Sequence, residues 1–182
     1  MHGELPFRIL ETGFAARDYR PRNDLQVAER EMPLKTGREL AEHLEGIVQE
    51  KFQVHRFSVD LTVKSVFEVD PTGRVDFGGG EYAAAGRIAI TPIPDRVEDA
   101  YVWWTLSRGC YFVEFNETLK LSEAEIAILE PDDRLMRAGG TLSPAFLRGT
   151  MSPIETLLTV GVMRLQVKQN ARIARLRLFN LE

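Results

Sequence analysis

Between Phe57 and Phe179 the chain is written as short runs of alternating apolar and polar residues, each closed by turn chemistry. No other feature restricts the fold as strongly. Phe57, Val59, Leu61 and Val63 alternate with Arg56, Ser58, Asp60 and Thr62, the two-residue period of a strand with one face in a core. The phase slips at Val66-Phe67, which predicts a bulge or bend. Further strand-like runs cover 87–93, 101–106, 109–116, 156–160, 163–167 and 171–179, separated by segments rich in Pro, Gly, Asp and Asn. Asp70-Pro71-Thr72-Gly73 is a turn, and Gly78-Gly79-Gly80 is a loop. No lysine or helix follows the glycines, so they do not read as a phosphate-binding P-loop. Such a succession of short strands predicts an all-β fold, a distorted barrel or jelly-roll-like sandwich.

One helix is expected ahead of the strands. Thr36-Gly37-Arg38-Glu39 has the spacing of a capping box, in which hydroxyl and carboxylate satisfy reciprocal backbone donors. Leu40, Leu44, Ile47, Val48 and Phe52 then recur at near-helical spacing, which predicts a helix over 37–52. Residues 1–35, punctuated by Pro6, Gly13, Pro21 and Pro33, read as an extended arm. The run Arg17-Asp18-Tyr19-Arg20-Pro21-Arg22 reads there as solvated surface, its charge interrupted by Asp18 and Asp24. Residues 121–129 have helical propensity through Ser122-Glu123-Ala124-Glu125. With no internal repeat or long linker, 1–182 reads as one domain.

The chemistry this composition excludes is nearly as informative. A net charge of −4 argues against a nucleic-acid binder that relies on bulk charge. No apolar run approaches the roughly 20 residues of a membrane span, and the first residues lack the layout of a signal peptide. A cytoplasmic protein is the expectation. Cys110, the single cysteine, excludes an internal disulfide and, within an apolar run, reads as a small buried hydrophobe. His2, His43 and His55 lack metal-site spacing, which disfavours a zinc-dependent deaminase.

Three segments carry a resemblance. They are Arg108-Gly109-Cys110-Tyr111-Phe112-Val113-Glu114-Phe115-Asn116, then Pro131-Asp132-Asp133-Arg134-Leu135-Met136-Arg137-Ala138-Gly139, then Asn170-Ala171-Arg172-Ile173-Ala174-Arg175-Leu176-Arg177-Leu178-Phe179. In order and spacing they resemble the trimeric dUTPase/dCTP deaminase superfamily, especially its short deaminase-like branch. That family writes them as a strand ending in Val-x-Phe-Asn-Glu, as Pro-Arg-Ser-Ser-Leu-x-Arg-x-Gly, and as Asn-Ala-Arg-Ile-Ala-Gln-Leu-x-Phe. The resemblance covers roughly the last 75 residues. It implies a strand where 121–129 has helical propensity, a homotrimer with sites built between subunits, and a pyrimidine nucleotide such as dCTP or dUTP as ligand.

The resemblance also implies site residues, several of them altered. Arg137 keeps the family's phosphate-contacting position, and Arg134 and Arg148 are further candidate phosphate cations. Asp132 and Asp133 stand where the family has arginine and serine. They would repel a triphosphate unless they hold a metal such as Mg²⁺ or form ion pairs with Arg134 and Arg148. Arg148 stands where the family has a water- or base-orienting aspartate, and a guanidinium cannot accept a proton. With a one-residue gap, Glu155 takes the place of the deaminase acid-base glutamate, a role needing a raised pKa. Arg172, Arg175 and Arg177 make the last strand basic and are candidates for the subunit interface, facing Asp132 and Asp133. Trp103-Trp104 and Phe112/Phe115 read as core or interface, or as stacking surfaces for a base. The expected function is thus a dCTP deaminase/dUTPase-like protein of pyrimidine deoxynucleotide metabolism with altered catalysis and no obligatory cofactor. The alternative is a catalytically silent trimer that binds a nucleotide, another anionic small molecule or a partner.

Overall fold

A computed structural model describes residues 34–70 and 72–181. The expected arm over 1–35 and its basic run lie outside these residues, apart from Leu34 and Lys35. Leu34 bridges to Phe179, and the Lys35 N–H donates to the Leu178 carbonyl at 2.9 Å. In chain order the elements are α1 (Gly37–Glu42), β1 (Leu44–Glu45), α2 (Glu50–Gln53), β2 (Val59–Val69), β3 (Arg87–Ala89) and β4 (Ile93–Pro94). There follow β5 (Val102–Phe115), β6 (Thr118–Lys120), β7 (Glu125–Pro131), α3 (Asp133–Arg137), β8 (Gly140–Leu142), β9 (Ala145–Leu147), β10 (Thr150–Met151), β11 (Glu155–Lys168) and β12 (Arg172–Asn180).

The long strands form one antiparallel sheet in the order β8-β11-β5-β2-β12-β7-β9, with β3 added to β2 and β4 to β5. A small sheet, β1-β6-β10, stands apart. The all-β expectation therefore holds, with a curled sheet around one apolar core that includes Val59, Leu61, Val63, Val113, Phe115, Leu129, Leu158, Leu176 and Leu178. Several of the expected runs merge into longer strands. The runs at 101–106 and 109–116 are one strand, and those at 156–160 and 163–167 are another, with a register shift between Val160 and Arg164. Residues 121–129 lead into β7, where pairing with β12 from Pro131 to Glu125 overrides local helical propensity.

The expected helix over 37–52 is two short helices separated by a strand. The capping box is present, Thr36 Oγ1 accepting from the Glu39 N–H while Glu39 accepts from the Thr36 N–H. Helix α1 nevertheless ends at Glu42, because Leu44 and Glu45 pair with Leu119 and Thr118. Gly46 then turns the chain at φ +85°, where a Cβ would meet the Asn116 carbonyl oxygen at 2.5 Å. Gly46→Ala is expected to cost roughly 1–3 kcal/mol in chemical denaturation, through strain at a left-handed position plus that contact. An unchanged midpoint would show that the turn relaxes freely.

Two further corrections bear on the site. The expected bulge lies at Lys64, the pairing of β2 with β5 shifting register between Val63 and Ser65. The first half of β2 is buried on both faces, Asp60 and Thr62 being nearly as enclosed as Val59, Leu61 and Val63, whereas Phe57, expected to face inward, is exposed ahead of the strand. Cys110 is exposed, because Tyr111 and Val113 take the inward positions of β5 and Cys110 falls opposite Thr159 on the outer face.

Candidate active site

Strand β12 runs between β2 and β7 and carries arginines at 172, 175 and 177. Alternation sends Leu176 and Leu178 into the core and leaves Arg175 and Arg177 half-buried on the other side. A register shift between Arg172 and Ala174 resets the phase, so that Ile173 is buried while Arg172 stays half-buried. There Arg172 and Arg175 meet Asp60 of β2, whose residue is 1% exposed. Arg172 Nη1 lies 3.3 Å from Asp60 Oδ2, and Arg175 Nε lies 3.3 Å from Oδ1. His55 Nε2 is 2.9 Å from Oδ2. Arg172 also donates to the Phe52 carbonyl at the end of α2.

A second buried carboxylate, Asp132, completes the cluster. It caps α3, accepting from the Arg134 N–H at 2.9 Å, and its own N–H donates to the Ile173 carbonyl of β12 at 2.9 Å. Arg134 Nε and Arg175 Nη2 both reach its carboxylate at 2.9 Å. Arg134 Nη2 stands 4.0 Å from Asp60 Oδ2. Burial alone would raise the Asp132 pKa. The backbone and side-chain hydrogen bonds from Arg134, with the charges of Arg134 and Arg175, outweigh it and hold the carboxyl below its usual range. Three guanidinium groups thus face two carboxylates, leaving one positive charge in excess.

The basic strand does face Asp132, as expected, but within a single chain. Arg177 likewise pairs with Glu130 of the same chain, at 2.9 Å. Asp133 is exposed on the first turn of α3 and stays outside the cluster. The expected ion pair of Arg148 with Asp132 or Asp133 is not formed within the chain. Arg148 precedes β10, which pairs with β6 in the small sheet, whereas Asp132 is tied to β12. Arg137, on the last turn of α3, is exposed and makes no ion pair with the described residues. Gly139 ends that helix at φ +90°, with Val162 where a side chain would stand.

Glu155 opens β11 directly opposite Glu114 of β5. Arg87 of β3 donates to both of its oxygens, through Nη1 and, at 2.7 Å, through Nη2. The same guanidinium lies 3.8 Å from Glu114 and 4.5 Å from the centre of the Phe112 ring. The hydrogen bond to Glu155 raises the Arg87 pKa against its partial burial. Within one chain, then, Glu155 is not gathered with Arg134 and Arg137, and its carboxylate is committed to an arginine.

Two residues escaped the sequence reading. Asp60 looked like an outward residue of a half-buried strand, and no local signal marks it. Glu117 directly follows Phe115-Asn116, and the family-like motif includes it without stating its task. It is wholly buried and accepts from Gln53 Nε2 at 2.6 Å, the Thr62 N–H at 2.9 Å and Thr62 Oγ1 at 2.7 Å. Gln53 Nε2 also donates to the Asp60 carbonyl at 3.0 Å, so this buried network supports the strand that bears Asp60. Asn116 Nδ2, donating to Asn170 Oδ1 at 2.9 Å, joins the first family-like segment to the third.

Beside the cluster opens a cleft of about 590 Å³ whose walls include Trp103, Arg134, Leu135, Lys168, Asn170 and Arg172. Its described lining residues include three cations and no carboxylate. Trp103 is half-buried there with Lys168 Nζ 5.4 Å from its ring centre. Trp104 is core, its Nε1–H donating to the Ile90 carbonyl at 2.9 Å, and Phe115 is core as well. Among the described residues no three His, Cys, Asp or Glu side chains converge as a metal site requires. A divalent cation does not fit between Asp60 and Asp132, because arginine N–H groups already occupy the space between their oxygens.

No family model matches the chain. It is 30% identical over 140 residues to a probable deoxyuridine 5'-triphosphate nucleotidohydrolase of Methanosarcina acetivorans, covering 76% of this chain and 78% of that protein. A protein of the same description from Halobacterium salinarum is 30% identical over 98 residues, covering 54% of this chain and 56% of that one. Among solved structures, the 2'-deoxycytidine 5'-triphosphate deaminase of Agrobacterium tumefaciens superposes with a TM-score of 0.59 at 16% identity. The match takes in 81% of this chain but only about half, 48%, of that one. The extended match to the Methanosarcina protein settles the lineage, and the shared architecture agrees with it: the chain belongs to the dUTPase/dCTP deaminase superfamily.

Proposed function

We propose that this protein works in pyrimidine deoxynucleotide metabolism by binding dUTP or dCTP, with a chemistry altered from that of its relatives. The observation that carries this reading is the cleft: Lys168 lines it beside the Trp103 ring, and Arg134 and Arg172, although paired with Asp132 and Asp60, each keep an Nη that makes no hydrogen bond to the described residues and can meet phosphate. Arg137, at the end of α3 and free of ion pairs to the described residues, is the peripheral phosphate contact. The relatives' names support the substrate class. Glu155 is the candidate acid-base residue, and its capture by Arg87 favours a second reading in which the protein binds nucleotide without turning it over. The site is completed in a cytoplasmic homotrimer, for which exposed Phe146 and Met163 supply apolar surface. No helix among the described residues is long and apolar enough to cross a membrane.

Calorimetry with dUTP and dCTP, with products followed by chromatography, tests both readings. Binding is expected, and Arg137→Ala should weaken it by about 1.5–3 kcal/mol, the worth of a charge-assisted hydrogen bond, with little change in melting temperature. Release of dUMP or of deaminated product supports the enzyme, and binding without product supports the silent form. No binding of either nucleotide, with or without Mg²⁺, defeats the proposal. A monodisperse monomer in light scattering defeats the trimer.

A further inference from the structure

We infer that Arg175 is a resident cation, standing where a divalent metal would otherwise sit between Asp60 and Asp132. One fork of its guanidinium spans both carboxylates, Nε to Asp60 at 3.3 Å and Nη2 to Asp132 at 2.9 Å. Both acids are nearly inaccessible, at 1% and 2% exposure, and Arg175 is itself only 25% exposed at its side chain. Two buried carboxylates need a positive charge between them, and a hard divalent ion or a guanidinium can supply it. A neutral side chain at this position would leave such a charge to come from elsewhere. Here the strand brings its own.

The ligand chemistry follows, and this part rests on the nucleotide-binding reading above. The second Nη of Arg175, the second Nη of Arg172 and Nη1 of Arg134 make no hydrogen bond to the described residues. They remain available to phosphate oxygens. A phosphate group would thus be held by the protein's own cations, these guanidinium groups and Lys168, and the site would take the metal-free form of its ligand. Arg134, 58% exposed, can swing toward solvent or ligand, whereas Arg175 is fixed by both acids.

Manganese binding, read by electron paramagnetic resonance on the full chain, tests the resident cation directly. The wild-type protein should take up no Mn²⁺ that Asp132→Asn abolishes. Arg175→Gln should bind about one Mn²⁺ per chain, because Asp60 Oδ1 and Asp132 Oδ2, which no other arginine holds, are then both free to ligate it. Adding Asp132→Asn to Arg175→Gln should remove that binding. Wild-type uptake that is lost in Asp132→Asn overturns the inference, as does a folded Arg175→Gln protein that binds none. The wild-type comparison stands even if Arg175→Gln fails to fold. Inorganic tripolyphosphate, titrated in EDTA and again in Mg²⁺, reads the ligand side. Equal or tighter binding in EDTA supports the inference, and binding that requires Mg²⁺ overturns it. Absence of tripolyphosphate binding in both media instead counts against the nucleotide-binding reading and leaves the manganese result to decide the cation.

Discussion

Asp60→Ala is expected to destabilise the protein by about 3–5 kcal/mol in chemical denaturation, the range for removing one partner from a buried ionic cluster. Asp60 is the single acceptor shared by Arg172, Arg175 and His55, with Arg134 at the edge of reach. Its loss leaves Asp132 alone against three guanidinium groups, two of them about three-quarters buried. The cost arises because those groups keep their burial while losing their counter-charge, which outweighs the hydrogen bonds lost with the acid. Asp60→Asn keeps the shape and an acceptor oxygen, so it should cost less. Arg175→Ala added to Asp60→Ala should recover part of the loss, since it removes one of the stranded charges. Strictly additive effects, or a cost for Asp60→Ala below about 1 kcal/mol, would show that the arginines relax into solvent and that the cluster is held by something else.

How much of this was legible beforehand depended on whether the determinant was local. The strand through Val59, Leu61 and Val63 and the capping box at Thr36 and Glu39 are local, and both stand in the structure, although Phe57 is exposed ahead of the strand. The helix over 37–52 failed because its apolar spacing is real but Gly46 and the pairing of Leu44 with Leu119 interrupt it. That pairing joins residues far apart in sequence, so periodicity could not reveal it. Asp60 failed for the same reason. A polar residue on a two-residue period reads as solvent-facing, and only the arrival of β12 and α2 over that face encloses it. The family-like segments placed Arg134, Asp132 and the basic strand near one another, yet they did not distinguish contact within a chain from contact between chains. Arg148 and Glu155 were assigned by alignment across a turn, and the structure commits Glu155 to Arg87 of β3, a partner the motif does not contain.

Glu117→Ala is expected to cost about 2–4 kcal/mol, again in denaturation, by stranding buried donors and opening a cavity. The Thr62 N–H loses its acceptor, and Gln53 Nε2 keeps only the Asp60 carbonyl. Glutamine is a poor replacement, since its amide must turn a donor toward either the Thr62 N–H or Gln53 Nε2. The pH dependence separates the charge from the packing. Burial pushes the Glu117 pKa above its ordinary value of 4.5, against the hydrogen bonds from Thr62 and Gln53 that lower it. A carboxyl whose folded pKa is raised binds its proton more tightly in the native state than in the unfolded chain. Its stabilising contribution is therefore full below pH 4.5 and drains away as pH rises through the folded value, at up to about 1.4 kcal/mol per pH unit. In Glu117→Gln that slope is absent, so the stability advantage of the wild type over the mutant should narrow as pH is raised from 4.5 toward neutrality. An advantage that widens over the same interval would mean that the hydrogen bonds dominate burial and that Glu117 is held as a stabilised carboxylate.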